Sequence, residues 1–263
     1  MSLHYPHPHP PAGGQSIEVA PGVFWLRMPL PFQLDHINLW LLRDGDGWSI
    51  VDTGFANDAV RDIWRPVIAG LDGPVHRLIV THFHPDHLGL ATWLLEETGA
   101  ELWMTTGEFL TAHVVWNEVG GHGARFMVEQ FRQHGLDAGR LAKFAKRGSG
   151  YRMVVPALPE HYHRLRAGDS VAVDGKNWRI LIGHGHAPEH MALYCGELGV
   201  LISGDMLLPK ISTNISVFAA TPEADSLRWF LDSLAEMARE MPEKTLVLPS
   251  HGLPFTGIQA RVE

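Results

Sequence analysis

Four side chains of metal-binding type fall within six residues: His82, His84, Asp86 and His87, in the run Thr81-His82-Phe83-His84-Pro85-Asp86-His87. Imidazole nitrogens and carboxylate oxygens suit first-row divalent cations and need no redox chemistry. Alternate residues of an extended segment share a side, so His82 and His84 point the same way. A turn at Pro85 then presents Asp86 and His87 to a neighbouring point. One short run would thus serve two metal ions with two ligands each. The plain alternative is a solvated histidine-rich loop. Against it, the run follows the apolar Leu78-Ile79-Val80 and precedes a helical pattern, which is the setting of a strand-end site.

Three more polar runs have the same setting. Gly183-His184-Gly185-His186-Ala187-Pro188-Glu189-His190 follows Ile180-Leu181-Ile182, Ser203-Gly204-Asp205 follows Val200-Leu201-Ile202, and Pro249-Ser250-His251-Gly252 follows Leu246-Val247-Leu248. In each, an apolar strand delivers a polar residue into a loop, with glycine easing close approach. Any one of them alone reads as a turn. With the first cluster they form one consistent set.

The elements that must position these residues alternate between strand and helix. Val23–Leu26 and Ile37–Leu42 are apolar runs, and the turn Asp44-Gly45-Asp46-Gly47 leads into Trp48–Val51 as a hairpin. A helix is expected over Asp58–Ala69, a strand at Leu78–Val80, a helix over Leu88–Thr98 ended by Gly99, and a strand at Leu102–Met104. Residues 105–165 read as a three-helix block inserted between two strand-rich parts. Strands return at Val171–Val173, Trp178–Ile182, Met191–Tyr194 and Val200–Ile202. A helix over Pro222–Glu240, capped by Thr221, precedes a last strand at Thr245–Leu248. Residues 1–16, rich in His and Pro, read as a flexible tail, and residues 17–263 as one domain.

The bulk composition excludes several classes. A chain of 263 residues with 45% hydrophobic and 19% charged residues suits a globular enzyme. The net charge of -8 disfavours nucleic acid as the main partner. The single cysteine, Cys195, rules out an intramolecular disulfide, and no run is long and apolar enough for a membrane span. Without a signal-peptide core near the N-terminus, the cytoplasm is the default expectation. The expected partner is a small-molecule substrate, with a homodimer contact as one use of the apolar residues in the block.

The run His82-x-His84-x-Asp86-His87, followed by His186, Asp205 and His251, resembles the metallo-β-lactamase superfamily over about residues 17–251. Asp52-Thr53-Gly54 after Ser49-Ile50-Val51 resembles that family's early strand-turn signature. The resemblance implies an α/β fold, a four-layer αββα sandwich, here with the helical insertion, and metals at one edge. It implies that His82, His84 and His186 hold one metal, that Asp86, His87 and His251 hold the other, and that Asp205 bridges. His186 is preferred to His184 because His186-Ala187-Pro188-Glu189-His190 resembles the family's His-Thr-Pro-Gly-His, from which Ala187 and Glu189 depart. Asp52 and His190 are expected to hydrogen-bond the ligands. No residue is assigned to substrate binding.

Two divalent ions, zinc by the nitrogen-rich set, with iron or manganese accepted by the same donors, would acidify a bridging water to hydroxide near neutral pH. Asp86 and Asp205 are the expected catalytic carboxylates. The branch expected is a hydrolase of small esters, thioesters or lactones, similar to glyoxalase II and to bacterial relatives of β-lactamase-like protein 2. Gly204-Asp205-Met206-Leu207-Leu208-Pro209 carries the latter resemblance. Those relatives continue into a winged-helix-like segment, whereas this sequence stops at Glu263, so functions needing that segment are in doubt. The alternatives are an iron-dependent persulfide dioxygenase of the same superfamily and a non-enzymatic metal-binding scaffold. The apolar residues Phe109, Trp116, Phe126, Met127, Phe131, Phe144 and Tyr151 are read as a lid or pocket wall, separable from the metals.

Overall fold

Residues 2–148 and 150–263 are described by a computed structural model; Met1 of the tail and Ser149 of the helical block lie outside the described residues. The first half builds a seven-stranded sheet from β1 (Ser16–Ala20), β2 (Val23–Pro29), β3 (His36–Asp44), β4 (Gly47–Val51), β5 (Val75–Ile79), β6 (Glu101–Thr105) and β7 (His163–Leu165), paired in that order. The early pairs are antiparallel hairpins. From β4 onward the pairs are parallel, and the crossovers carry α1 (Asp58–Ala69), then α2 (Pro85–Leu88) and α3 (Ala91–Thr98), then the helical block. The block contains α4 (Thr106–Trp116), a short 3₁₀ turn (Gly120–His122), α5 (Ala124–Gln133), α6 (Ala138–Arg147) and α7 (Tyr151–Val154). The second half builds a five-stranded sheet, β8 (Ser170–Val173), β9 (Lys176–Gly183), β10 (His190–Cys195), β11 (Val200–Gly204) and β12 (Leu246–Pro249), in the order β12-β11-β10-β9-β8. Its one parallel pair, β11 with β12, is crossed by α8 (Ser226–Glu240), and α9 (Ile258–Val262) follows.

Side-chain alternation sorts these elements into four layers. On β3, Ile37, Leu39 and Leu41 join Val60, Trp64, Leu94 and Ala112 in a core between the first sheet and its helices. Trp40 and Leu42 of the same strand face the other way and meet Trp178, Ile180, Met191, Leu193 and Ile202, the core between the sheets. The outer face of the second sheet, with Ala192, Leu201 and Val247, is covered by Phe230, Leu234 and Met237 of α8 and Ile258 of α9. Helix, sheet, sheet, helix is the expected αββα sandwich, because each strand with apolar residues on both faces must be covered on both. No helix of the described residues is long and apolar enough to cross a membrane.

Some boundaries differ from the sequence reading, each for a hydrogen-bonding reason. The helix expected over Leu88–Thr98 is two, because the Leu90 N–H donates to Thr53 Oγ at 3.1 Å instead of continuing the turn. The helix expected from Pro222 starts at Ser226, where Asp225 rather than Thr221 is the cap and accepts from the Arg228 N–H. Within the first sixteen residues, His4 and Thr256 exchange two backbone hydrogen bonds, and Leu3 and Tyr5 pack beside α8 and α9.

Candidate metal centre

Every residue singled out for chemistry except His184 gathers at one edge of the sandwich, where the strands end or the next begins. Asp52 follows β4, residues 82–87 follow β5, His186 and His190 flank the β9–β10 turn, Asp205 follows β11 and His251 follows β12. The carboxyl ends of parallel strands in α/β sheets open into such crevices.

The Asp205 carboxylate sits between two groups of imidazoles. Its Oδ2 lies 3.3 Å from His186 Nε2 and 4.0 Å from His82 Nε2. Its Oδ1 lies 3.3 Å from His251 Nε2 and 3.6 Å from His87 Nε2. Asp86 Oδ2 closes the second group, 3.5 Å from His251 Nε2 and 3.7 Å from His87 Nε2. In the first group, His82 Nε2 lies 3.0 Å from His84 Nδ1 and 3.1 Å from His186 Nε2. The potential ligand atoms of His82, His84, His186 and Asp205, and separately those of Asp86, His87 and His251, lie within 4.8 Å of one another.

These donors fit metal ions better than they fit one another. His186 Nδ1 donates to the Asn214 carbonyl at 2.7 Å, and His251 Nδ1 to the His36 carbonyl at 2.8 Å. His87 Nδ1 donates to Asp52 Oδ2 at 2.8 Å. In the neutral form of each ring, Nε2 is thereby the nitrogen that carries the lone pair, turned into the cluster. Three converging nitrogens cannot all hydrogen-bond, yet their separations approach the roughly 3.3 Å edge of a tetrahedron with metal–nitrogen bonds of about 2.0 Å. His87 Nε2 and Asp205 Oδ1 are buried with no hydrogen-bond partner. The charges agree. Burial and the neighbouring imidazoles hold His82 well below the usual range, and burial with His186 brings His84 to about 3, so both are neutral donors. Against burial, Asp205 and Asp86 raise His251 to about 10, and Asp52 with Asp86 and Asp205 raises His87 far above its ordinary value. The two carboxylates call for positive charge between them.

Asp52 and His190 hold the cluster from behind. Asp52, at φ 63°, takes a left-handed backbone that costs a non-glycine residue about 1–3 kcal/mol. In return its carboxylate accepts the Thr81 N–H at 2.8 Å, the Thr81 hydroxyl and the His87 ring. His190 Nε2 accepts the Asp205 N–H at 3.0 Å, and a side chain at Gly204 would lie 2.5 Å from the His190 ring. His184 is apart: it is exposed and its Nδ1 meets the Pro188 carbonyl at 2.7 Å.

Two positioning residues, Asn38 and Glu108, escape the sequence reading, and a third, Tyr151, is read there as part of a lid or pocket wall. Buried Asn38 on β3 donates from Nδ2 to the carbonyls of Pro249 and Gly252, on either side of His251, and a lone amide inside an apolar strand was its signal. Buried Glu108 on α4 accepts the Phe83 and Glu189 N–H groups, and Tyr151 on α7 donates to the Phe83 carbonyl. Burial pushes the Glu108 carboxyl up to about 7, against the two N–H groups that favour its charged form. The helical block is therefore joined to the site. Its aromatics divide: Phe109 stacks on Tyr162 and Trp116 donates to the Val155 carbonyl, both against the core, whereas Phe131 pairs with Phe144 between α5 and α6.

His84 and Asp86 keep partial exposure at the mouth of the cluster. Phe83, Phe218 and His122 follow one another in ring contact from beside His84, and Gln130 of α5 donates to the Val217 carbonyl.

Comparison with known proteins gives one consistent picture. The family model described as Metallo-beta-lactamase superfamily matches residues 33–251. A crystal structure of a beta-lactamase domain protein from Burkholderia ambifaria is 47% identical, covers 99% of this chain and 77% of its own, and superposes with a TM-score of 0.86. The probable metallo-hydrolase YqjP of Bacillus subtilis is 25% identical over 92% of this chain and 75% of its own length. Hydroxyacylglutathione hydrolase GloC of Haemophilus influenzae is 28% identical over 67% of this chain and 68% of its own.

Proposed function

Because the chain belongs to the metallo-beta-lactamase superfamily, we propose that it is a binuclear metal-dependent hydrolase of a small ester, thioester or lactone. The observation that carries this reading is the Asp205 carboxylate, with one oxygen turned to His82 and His186 and the other to His87 and His251. His82, His84 and His186 would hold one ion, Asp86, His87 and His251 the other, and Asp205 both. Held there, divalent ions, zinc by this donor set, would supply Lewis acidity toward a water and toward the substrate's oxygen.

The protein's own part is orientation and proton handling. Asp52, the Asn214 carbonyl and the His36 carbonyl fix the tautomers of His87, His186 and His251, so each presents Nε2. Asp86 stands beside His87 and His251, is the more exposed of the two cluster carboxylates, and is the group placed to orient the nucleophile or take its proton. Half-buried Phe218, in ring contact with the buried Phe83 that precedes His84, supports a substrate with an apolar portion. The thioester class draws support from a relative whose name makes it a hydroxyacylglutathione hydrolase.

The test is elemental analysis of gently purified protein, followed by a screen of thioesters, lactones and phosphodiesters on that metal-assayed sample. Two zinc per chain with turnover of an acyl substrate is expected. One iron per chain with oxygen consumption on a persulfide would replace this reading with a dioxygenase, bound metal with no turnover of any substrate would leave a metal-binding scaffold, and no ion after reconstitution with excess zinc would overturn the metal centre itself.

A further inference from the structure

The helical block and the ligand loops meet in a reciprocal contact. Glu108, on α4, is fully buried; its Oε2 accepts the Phe83 N–H at 3.0 Å and its Oε1 accepts the Glu189 N–H at 2.6 Å. Phe83 lies between His82 and His84, and Glu189 lies between His186 and His190. One carboxylate thus spans the two loops that bring His82, His84 and His186 together. Glu189 answers in the other direction. Its Oε2 accepts the Gly107 N–H at 2.7 Å in the first turn of α4, and its carbonyl accepts the Thr105 hydroxyl at 3.1 Å. A side chain at position 107 would lie 2.7 Å from the Glu189 carboxyl carbon, so a larger residue there would have to displace the Glu189 carboxylate. Tyr151 holds the opposite side of the same peptide unit run, donating to the Phe83 carbonyl at 2.5 Å.

The other half of the cluster is held from elsewhere. His87 is fixed by Asp52 and by Thr53, which donates to the His87 carbonyl at 2.6 Å. His251 is fixed by the His36 carbonyl, and its loop by Asn38. None of these bonds involves α4 or α7. Metal ligands must sit within about 0.2 Å of ideal distances, so the support of each half sets the affinity of that half.

We propose that Glu108 and Glu189 form a reciprocal clamp that positions the His82–His84–His186 metal site selectively, tying the helical block to one of the two metal positions. The inference rests on the reading that the cluster binds two ions.

The experiment is a cobalt(II) titration of metal-free full-length protein, followed by its visible spectrum and by chelator competition. It uses two backgrounds that each cripple one half, His251→Ala and His84→Ala. In Glu108→Gln the amide nitrogen cannot accept one of the two N–H groups. In the His251→Ala background, where the clamped half remains, Glu108→Gln should weaken cobalt binding by about 10–100-fold. In the His84→Ala background it should change binding less than threefold. Glu189→Ala, which removes only the return contact to Gly107, is the milder second variant, expected to show the same selectivity if Glu108→Gln does not fold by circular dichroism. Equal loss in both backgrounds, or no loss in either, would overturn the clamp while leaving the two-metal reading intact. Failure of the parent to bind two cobalt ions would instead remove the two-metal reading and the clamp with it.

Discussion

At the scale of single residues, the cluster's chemistry depends on where two lone pairs or two negative charges face each other. Asp205 is the one carboxylate whose oxygens turn to both imidazole groups. If the cluster holds two ions as proposed, Asp205→Ala removes the charge they share and leaves less between them. We expect loss of at least one ion per chain and a fall in turnover of several hundredfold or more, on the order of losing a group that stabilises the reacting charge. A variant with normal metal content and normal turnover would refute the bridging role. The pair His184 and His186 gives a sharper contrast. His186 is buried with Nε2 in the cluster, whereas His184 is exposed and bonded to the Pro188 carbonyl. His186→Ala should lower metal content and activity together, while His184→Ala should change each by less than twofold. Elemental analysis of both proteins decides between them, and the reverse pattern would exchange their roles.

At the scale of elements, the helical block divides into a part that supports the site and a part that contacts the loop after β11. α4 and α7 carry Glu108 and Tyr151, which hold the Phe83 peptide on both sides, so the block cannot be removed as a whole without disturbing the ligand run. α5 and α6 are different. They pair through Phe131 and Phe144, and α5 reaches the loop after β11 through Gln130 and Val217. Replacing the α5–α6 hairpin by a short linker should therefore leave metal content unchanged and raise KM, or change which acyl groups are accepted. Steady-state kinetics over a series of acyl chain lengths checks this. If a metal-replete variant without α5 and α6 handles every substrate as the parent does, the hairpin has no part in recognition.

At the scale of the whole molecule, the cluster ties the two sheets together. Asp52 and residues 82–87 come from the first sheet, and His186, Asp205 and His251 from the second, with the Met191 N–H donating to the Thr81 carbonyl across the join. Ions bound there favour the folded state over the unfolded one by mass action, about 2.7 kcal/mol when free metal is a hundredfold above Kd. Removing metal with a chelator should lower Tm by several degrees, and added zinc should restore it. A Tm that is the same with and without metal would mean that the ions contribute nothing to holding the sheets in register.

Two kinds of information were legible before folding. The run from His82 to His87 and the strand-end positions of His186, Asp205 and His251 could be read because ligand type is a property of single residues and an apolar strand running into a glycine-rich loop is a local pattern. The sandwich was legible only through the family resemblance that those motifs carry; the apolar runs along β3 and β9 mark buried strands, and the structure shows that both faces of each are covered. Local signals failed where two of them competed, as between Thr221 and Asp225 for the cap of α8, or where a distant partner captured an N–H, as Thr53 does at Leu90. Only the tertiary structure decided which oxygen of Asp205 faces which imidazoles, and that His186 rather than His184 turns inward. It alone brought Asn38 to the His251 loop, 211 residues away at its Pro249 contact, and Glu108 to Glu189, 81 residues away. Those choices follow from which strands lie side by side: a lone amide in an apolar strand marks Asn38 and a motif resemblance favours His186, but the partner each side chain meets is fixed by packing from both sheets and is not written in residue type or spacing.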